Sequence, residues 1–450
     1  LVCEGFLGQA AATSVGLGMP DLPVATIVGH TGAQSVEEIR ENVFNVTAEQ
    51  VIDNLLRQPE ETVLAAEPSA KEIVFRGTFE EVNEYFAERD WSGGLPIVPP
   101  TIEKIQEFLS YTDRKPEESL GIVLPESRAV TIWTIAVNGV MAGCRPEYMP
   151  ILVALGEAMA DPIYGVEHSG NTPGAETLIV LNGPIIKELK FNYEQGAMRD
   201  GFQANTSVGR FWRLALRNIA GFLLHKTDKG TYGNTFRVVL AENEDAIAKA
   251  GWKPFSTDMG FAAGDNTVMI TRLTGGGVLP SVTGSTPQAM MPYLADGVAK
   301  QTGWEIAFTV GGLSIGTLRP ILILSPILAQ TIAKAGWSKE DVKQYLYDHA
   351  RMPAWRVEAL MDKWVDFRID TLKRQVNLGR LPQAFHESED PNRMVPIVVQ
   401  PNDFIVLVSG DPLRTNAYSF THNGHLGFPV GKKIQLPKDW AERLAKLRKK

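Results

Sequence analysis

The chain has 450 residues, 44% hydrophobic and 21% charged. This is ordinary globular usage at a length that predicts two or more domains, and it excludes a disordered, collagenous or coiled-coil protein. Its 44 Lys+Arg against 52 Asp+Glu leave a net charge of -8, which repels a phosphate backbone and excludes general nucleic-acid binding. Two cysteines, Cys3 and Cys144, are too few for a disulfide scaffold and fit a reducing, cytoplasmic compartment. No run of 18 apolar residues offers a membrane span. The chain opens at Leu1 without a start Met or a leader, so an upstream segment is expected.

In chain order, residues 23–28 read as a strand, followed by helices opened by two capping boxes, Ser35 with Glu38 and Thr47 with Gln50. Residues 1–60 thus read as the end of an α/β unit whose start is missing. Residues 58–70 carry two prolines and no apolar period, which predicts a linker. An α/β domain is expected over 71–258, opening with a short strand at 73–75 and a helix capped by Thr78 and Glu81. Within it, residues 130–159 are apolar on nearly every face. They predict two buried helices joined at Gly143-Cys144-Arg145-Pro146, where a glycine C-cap meets a proline at the first helical position.

Four later runs, 177–181, 236–240, 321–324 and 404–408, are short, apolar and mostly β-branched, as strands covered on both faces are. The fold class is therefore α/β, with two or more units built on mostly parallel, doubly covered sheets. Ligands of open α/β sheets gather at the carboxyl ends of strands. Asn182-Gly183-Pro184, Glu242-Asn243, Ser325-Pro326 and Ser409-Gly410-Asp411 are the first places to seek a site. Ile247-Ala248-Lys249-Ala250-Gly251-Trp252 recurs as Ile332-Ala333-Lys334-Ala335-Gly336-Trp337, which raises an internal duplication or the reuse of a good helix ending. A second α/β domain is expected over 259–450, with a long helical stretch at 339–378. Its end is a basic amphipathic helix at 438–450 bearing Trp440, Leu444 and Leu447 on one side.

Dinucleotide and nucleotide loops of the G-x-G-x-x-G and G-x-x-x-x-G-K-[ST] types are absent, so the cofactor is unknown. Gly275-Gly276-Gly277 reads as a turn whose glycines serve close packing or φ > 0, not a cofactor loop. Gly312-Leu313-Ser314-Ile315-Gly316 fits a nucleophile elbow in letters but lacks the following helix. Cys144 precedes an expected helix start beside Arg145, where dipole and guanidinium favour a thiolate; burial between apolar helices works against it. Residues 201–210 read as a helix start with Asn205 as N-cap. Thr206, Ser207, Arg199 and Arg210 gathered there suit a carboxylate or phosphate. His168 lies in a polar loop and suits an acid or base near neutral pH. His422 and His425 are spaced for one metal but lack a third ligand in sequence, so solvated loop histidines are the expected reading.

The pieces Asn138-Gly139-Val140-Met141-Ala142-Gly143-Cys144-Arg145-Pro146-Glu147-Tyr148, Asn182-Gly183-Pro184 and Ala204-Asn205-Thr206-Ser207-Val208-Gly209-Arg210 occur together. In these the chain resembles the UGSC-motif proteins, a family distantly similar to the selenoprotein B component of glycine, sarcosine and betaine reductases. The resemblance extends over much of the chain, and most clearly over its first two-thirds, including Gly18-Met19-Pro20-Asp21-Leu22. It implies an α/β enzyme. The family's redox motif has no counterpart here and would lie before Leu1; either it sits on an upstream segment or a separate partner chain, or this member works without it.

The leading expectation is an oligomeric cytoplasmic enzyme of small-molecule metabolism acting on an anionic or polar substrate, by thiol-dependent cleavage or reduction. Cys144, His168 and Glu147 form its catalytic set; Arg145, Asn182, Arg199, Asn205, Thr206, Ser207 and Arg210 bind substrate. One alternative is a metal-dependent hydrolase or lyase using His168, His422 or His425 with carboxylates such as Glu242 and Asp411. Another is a non-catalytic subunit that completes a partner chain's redox site.

Overall fold

Short leucine and β-branched runs without polar alternation form strands only where both faces are covered, and this rule organises the molecule. The structure is a computed structural model describing residues 1–58, 69, 71–234, 238–310, 314–365, 371–422, 424 and 427–447. The N-terminal unit pairs β1 (Val2–Cys3) with β2 (Thr26–Ile27) in parallel. The Ser35 and Thr78 capping boxes form as expected. The Thr47 box does not: Thr47 Oγ1 donates to the Thr26 carbonyl at 2.8 Å and Gln50 Oε1 accepts from the Thr26 amide at 2.7 Å, so both side chains serve β2 instead. Apart from Gln58 and Ser69, the expected linker lies outside the described residues.

An antiparallel hairpin, β3 (Ser119–Val123) and β4 (Arg128–Thr131), leads into the helices Ile132–Met141 and Met149–Met159. Their corner is as expected. Gly143 adopts φ +76°, and the Cys144 amide donates back to the Gly139 carbonyl at 3.1 Å, closing the first helix.

The remaining strands are β5 (Glu176–Asn182), β6 (Val239–Ala241), β7 (Thr267–Leu279), β8 (Ile321–Leu324), β9 (Arg351–Pro353), β10 (Met394–Pro396), β11 (Ile405–Val408), β12 (Ala417–His422) and β13 (Val430–Lys433). Seven of them build one sheet in the order β11-β8-β12-β7-β5-β6, with β13 also on β7. This α/β sheet is mixed. Only β5 with β6 and β8 with β11 are parallel, while β7 runs antiparallel to β5, β12 and β13, and β12 antiparallel to β8. The expectation of mostly parallel sheets fails because of β7. Its Gly275-Gly276-Gly277 run is strand, not turn, since a Cβ on Gly276 would lie 2.5 Å from the Phe420 ring and 2.6 Å from the Ser419 carbonyl of β12. Only glycine permits that approach.

The topology repeats. β5, β6 and β7 are followed by β8, β11 and β12 in the same arrangement, the second strand parallel on the outer side of the first and the third antiparallel on its inner side. The two sets meet along β7 and β12. The Ile247 and Ile332 echo does not mark this repeat, because its copies follow β6 and β8, which hold different places in the two sets. The echoed helix endings pack on each other, with Trp252 Nε1 donating to the Trp337 carbonyl at 2.9 Å.

Side chains alternate across the strands, and each face has its own core. Leu178, Val180, Leu240, Met269, Ile321 and Leu407 meet on the inner face of the curled sheet. The outer face of the first set packs on the helices Ile132–Met141, Met149–Met159 and Gln203–Ala215, and that of the second on Pro287–Gln301 and Pro326–Lys334. Strands from both sides of the expected 258/259 boundary thus share one sheet. The C-terminal helix Trp440–Leu447 returns to the first half, with Trp440 and Leu444 buried in its core. The long helix expected over 339–378 is broken after His349, where β9 pairs with β10.

Candidate functional site

The corner carrying Cys144 is packed shut. Cys144 is 8% exposed, and burial pushes its thiol up to about 12; the neighbouring Ser207 hydroxyl and Arg210 guanidinium pull downward without offsetting it. The helix start is a short 3-10 turn, Pro146–Tyr148, with Arg145 at the N-cap, running directly into the helix Met149–Met159. Of the two opposing influences on this thiol, desolvation is the larger. In the folded chain, Ellman's reagent should titrate Cys3 and leave Cys144 untouched, giving one reactive thiol before unfolding and two after. Two fast thiols in the native protein would return Cys144 to the list of nucleophiles.

The other expected residues are largely spent on structure. Arg145 Nε pairs with Glu147 Oε1 at 2.5 Å, which engages both. Arg210 Nη2 donates to the carbonyls of Leu95 and Pro96 at 3.2 and 2.7 Å. The helix Gln203–Ala215 starts before Asn205, which is therefore not its N-cap. Asn205, 1% exposed, instead accepts from the Asn192 amide at 2.9 Å and donates to the Asn192 and Val239 carbonyls at 2.9 and 2.7 Å. Thr206 Oγ1 accepts from the Gly201 amide at 3.4 Å, and Arg199 is exposed. His168 sits at the surface, held below the usual imidazole range by burial with Arg272 adding to it, against Glu167. His168 and Cys144 share no neighbour among these groups.

His422 is fully buried, its Nδ1 accepting from the Arg319 amide at 3.1 Å, so it is neither solvated nor a loop residue. His425 lies outside the described residues, as do Gly312 and Leu313 of the elbow-like pattern. Among the described residues no three His, Cys, Asp or Glu side chains gather as a metal-holding group. Asp411 caps its own turn, accepting from the Leu413 amide at 2.8 Å.

What the fold does bring together is the four strand ends. The Glu242 amide donates to the Leu181 carbonyl of β5 at 3.0 Å, and the Ser409 amide to the Leu324 carbonyl of β8 at 3.0 Å, equivalent bonds in the two strand sets. The sets are then joined to each other: Ser409 Oγ donates to the Ala241 carbonyl at 2.9 Å, and Glu242 Oε1 accepts from the Val408 amide at 3.3 Å. Glu242 Oε2 accepts from Asn182 Nδ2 and from the Phe255 amide, each at 2.7 Å. Asn182 also donates to Glu244 Oε1 at 3.0 Å, which accepts from the Gly183 amide at 2.8 Å.

Glu242 is 1% exposed, and burial pushes its carboxyl up to about 7, against the pull of Lys339, the Phe255 amide, Asn182 and the Val408 amide. Lys339, also buried, reaches Asp258 at 3.2 Å, and Lys343 reaches the same carboxylate at 2.9 Å. Toward solvent lie Glu244, Tyr193 and the Lys187–Asp245 pair at 2.6 Å. The arrangement supplies a proton-holding carboxyl near neutral pH, a second carboxylate linked to it through one amide, and a polar rim. Sequence reading named Asn182, Glu242 and Ser409 as strand tips but missed Glu244, Asp258, Lys339 and Lys343. One signal for the lysines exists: Lys339, Val342, Lys343 and Leu346 share a helix face, and a lysine on an apolar face needs a buried counter-ion. Comparison with protein-family models, curated proteins and solved structures finds no match for this chain.

Proposed function

We propose that the protein is a cytoplasmic enzyme of small-molecule metabolism whose reaction centre is the strand-tip cluster, acting on a small polar substrate by proton transfer. Glu242 gives or accepts the proton, Glu244 and Asn182 orient the substrate, and Lys339 balances the charge. The observation that carries this reading is a fully buried carboxyl, held by three donors at the meeting point of four strand ends, whose burial pushes it up to about 7. The rim favours a polar or amine-bearing substrate over a strongly anionic one, since Glu244 and Asp245 face it with Lys187 as the counter-charge. The resemblance to UGSC-motif proteins agrees with a metabolic enzyme; its redox motif is not in this sequence, and neither Cys3 nor Cys144 is assigned that chemistry. Turnover of a panel of amino acids, hydroxy acids and amines should be lost in Glu242→Gln and kept in Cys144→Ser. The reverse result, or equal turnover by both, overturns the assignment.

A second reading is favoured by the N-terminal unit. β1 and β2 form a two-stranded parallel sheet, while Leu1, Leu17, Val36, Phe44, Leu55 and Leu56 are exposed around it. A groove of about 700 Å³ runs between Cys3, Phe6, Ala10, Leu17, Met19 and Leu22. Parallel strands are normally covered on both faces, so this unit suits completion by a strand-bearing partner chain.

A further inference from the structure

We propose that the junction between β6 and β11 is a gate over the strand-tip site, opening by parting residues 241–243 from residues 408–410 while the β7–β12 ladder stays whole. The two sides of the curled sheet are closed differently. Along β7 and β12 six residue pairs form a backbone ladder. Across β6 and β11 one backbone bond is made, the Asn243 amide to the Val408 carbonyl at 2.7 Å, and the other links run through the side chains of Glu242 and Ser409. Gly410 and Ser409 add bonds to the Tyr193 carbonyl at 3.1 and 3.2 Å, which tie the same segment to the rim. Among the described residues a closure made by one backbone bond, two side chains and the Tyr193 tie has fewer ladder bonds than the β7–β12 seam, and is the side of the sheet that parts first.

One member of that closure titrates. The groups facing Glu242 are Glu244 through the shared Asn182 amide, Lys339 from the helix Lys339–His349, and Asp258 with Lys343 behind that lysine; Lys187, Asp245 and Tyr193 stand outside. In the closed junction burial holds the carboxyl at about 7, and parting the junction returns it to the solvated value of 4.5. Opening therefore releases a proton between those limits, and the open fraction rises with pH by at most about tenfold per unit. Acid closes the gate; neutral and alkaline pH loosen it.

The proposal rests on the site assignment above for its consequence, but its test needs no substrate. Amide hydrogen exchange of the wild-type chain is measured at pH 5.5, 6.5 and 7.5, each rate divided by its intrinsic rate. Protection at Asn243, Val408 and Gly410 should fall about sevenfold between pH 5.5 and 6.5, with the Ser419 amide of β12 unchanged. Ser409→Ala should lower protection at all three pH values with the slope kept; Glu242→Gln should abolish the slope. A flat wild-type profile, a slope that survives Glu242→Gln, or equal loss at Ser419 overturns the gate. Should Glu242→Gln fail to fold, the contrast between Val408 and Ser419 in the wild type decides alone. A gate that behaves as described in a chain whose Glu242→Gln variant keeps full turnover would leave the gate standing and remove the site assignment.

Discussion

A Glu242→Gln variant is expected to lose roughly 3 kcal/mol of stability between pH 6.5 and pH 4, where the parent chain changes little. The reason lies in two buried groups with opposite linkage. His422 is pushed down to about 3, chiefly by burial and then by Arg319 and Arg272. Its unfolded value is 6.5. Between these limits the unfolded chain binds a proton that the folded chain refuses, so the stability owed to neutral His422 is complete above pH 6.5 and drains away as pH falls, by about 1.4 kcal/mol per unit. The geometry agrees with neutrality, because Nδ1 already accepts from the Arg319 amide.

Glu242 runs the other way. Its folded value of about 7 stands above the unfolded 4.5, so the folded chain takes up the extra proton in that window and gains stability as pH falls. Over the shared interval, pH 4.5 to 6.5, the two slopes cancel. Replacing Glu242 by glutamine removes one slope and unmasks the histidine. Replacing His422 by asparagine should do the converse, leaving a protein that becomes more stable on acidification toward pH 4.5. Urea midpoints at pH 7, 5.5 and 4 for the three proteins check both statements; parallel profiles would show that neither group carries the linkage assigned to it.

Local chemistry was the part of the molecule most readable from sequence. The Gly143 C-cap and the Ser35 and Thr78 capping boxes appear where the residue types demand, as do strands from the runs 177–181, 321–324 and 404–408; of the run 236–240, Phe236 and Arg237 lie outside the described residues and the strand is Val239–Ala241. Those signals are local, acting within about four residues of the chain. The arrangement of the strands was less readable. β7 hides behind three glycines, of which Gly276 is required because β12 packs against it, a contact between segments about 145 residues apart, which no window of sequence contains. The site divides in the same way. Asn182, Glu242 and Ser409 could be named as strand ends, but their union depends on the sheet curling until its two edges meet. The N-cap expected at Asn205 failed for a different reason. Asn205 and Arg210 are the polar, small-residue-flanked groups that a binding site requires, and they are equally the groups that bond backbone carbonyls, Asn205 those of Asn192 and Val239 and Arg210 those of Leu95 and Pro96. Composition cannot separate these uses.

Removing one carboxylate beneath the strand tips should be among the most damaging single changes in the chain. Asp258 neutralises two buried ammoniums by direct contact, Lys339 and Lys343, whose side chains are 3% and 8% exposed, and is their one ion-pair partner among the described residues. Asp258→Ala leaves both cations in place, with Lys339 still donating to the Lys253 carbonyl at 3.1 Å. Uncompensated buried charge of this kind costs about 3 to 5 kcal/mol. Adding Lys343→Met in the same chain should recover much of the loss, because the remaining Lys339 keeps Glu242 as its counter-charge and the methionine fills the apolar face beside Val342 and Leu346. As a control, Asp296→Ala removes the exposed partner of Lys300 on another helix and should shift stability by less than about 1 kcal/mol. Urea unfolding of the four proteins gives the comparison. If Asp258→Ala behaves like Asp296→Ala, the buried network contributes nothing to holding the helix Lys339–His349 on the strand tips. If it behaves as expected, Lys339 is left facing Glu242 alone, the glutamate is drawn toward its ionised form, and the pH at which the β6–β11 junction loosens must move downward in the exchange measurement.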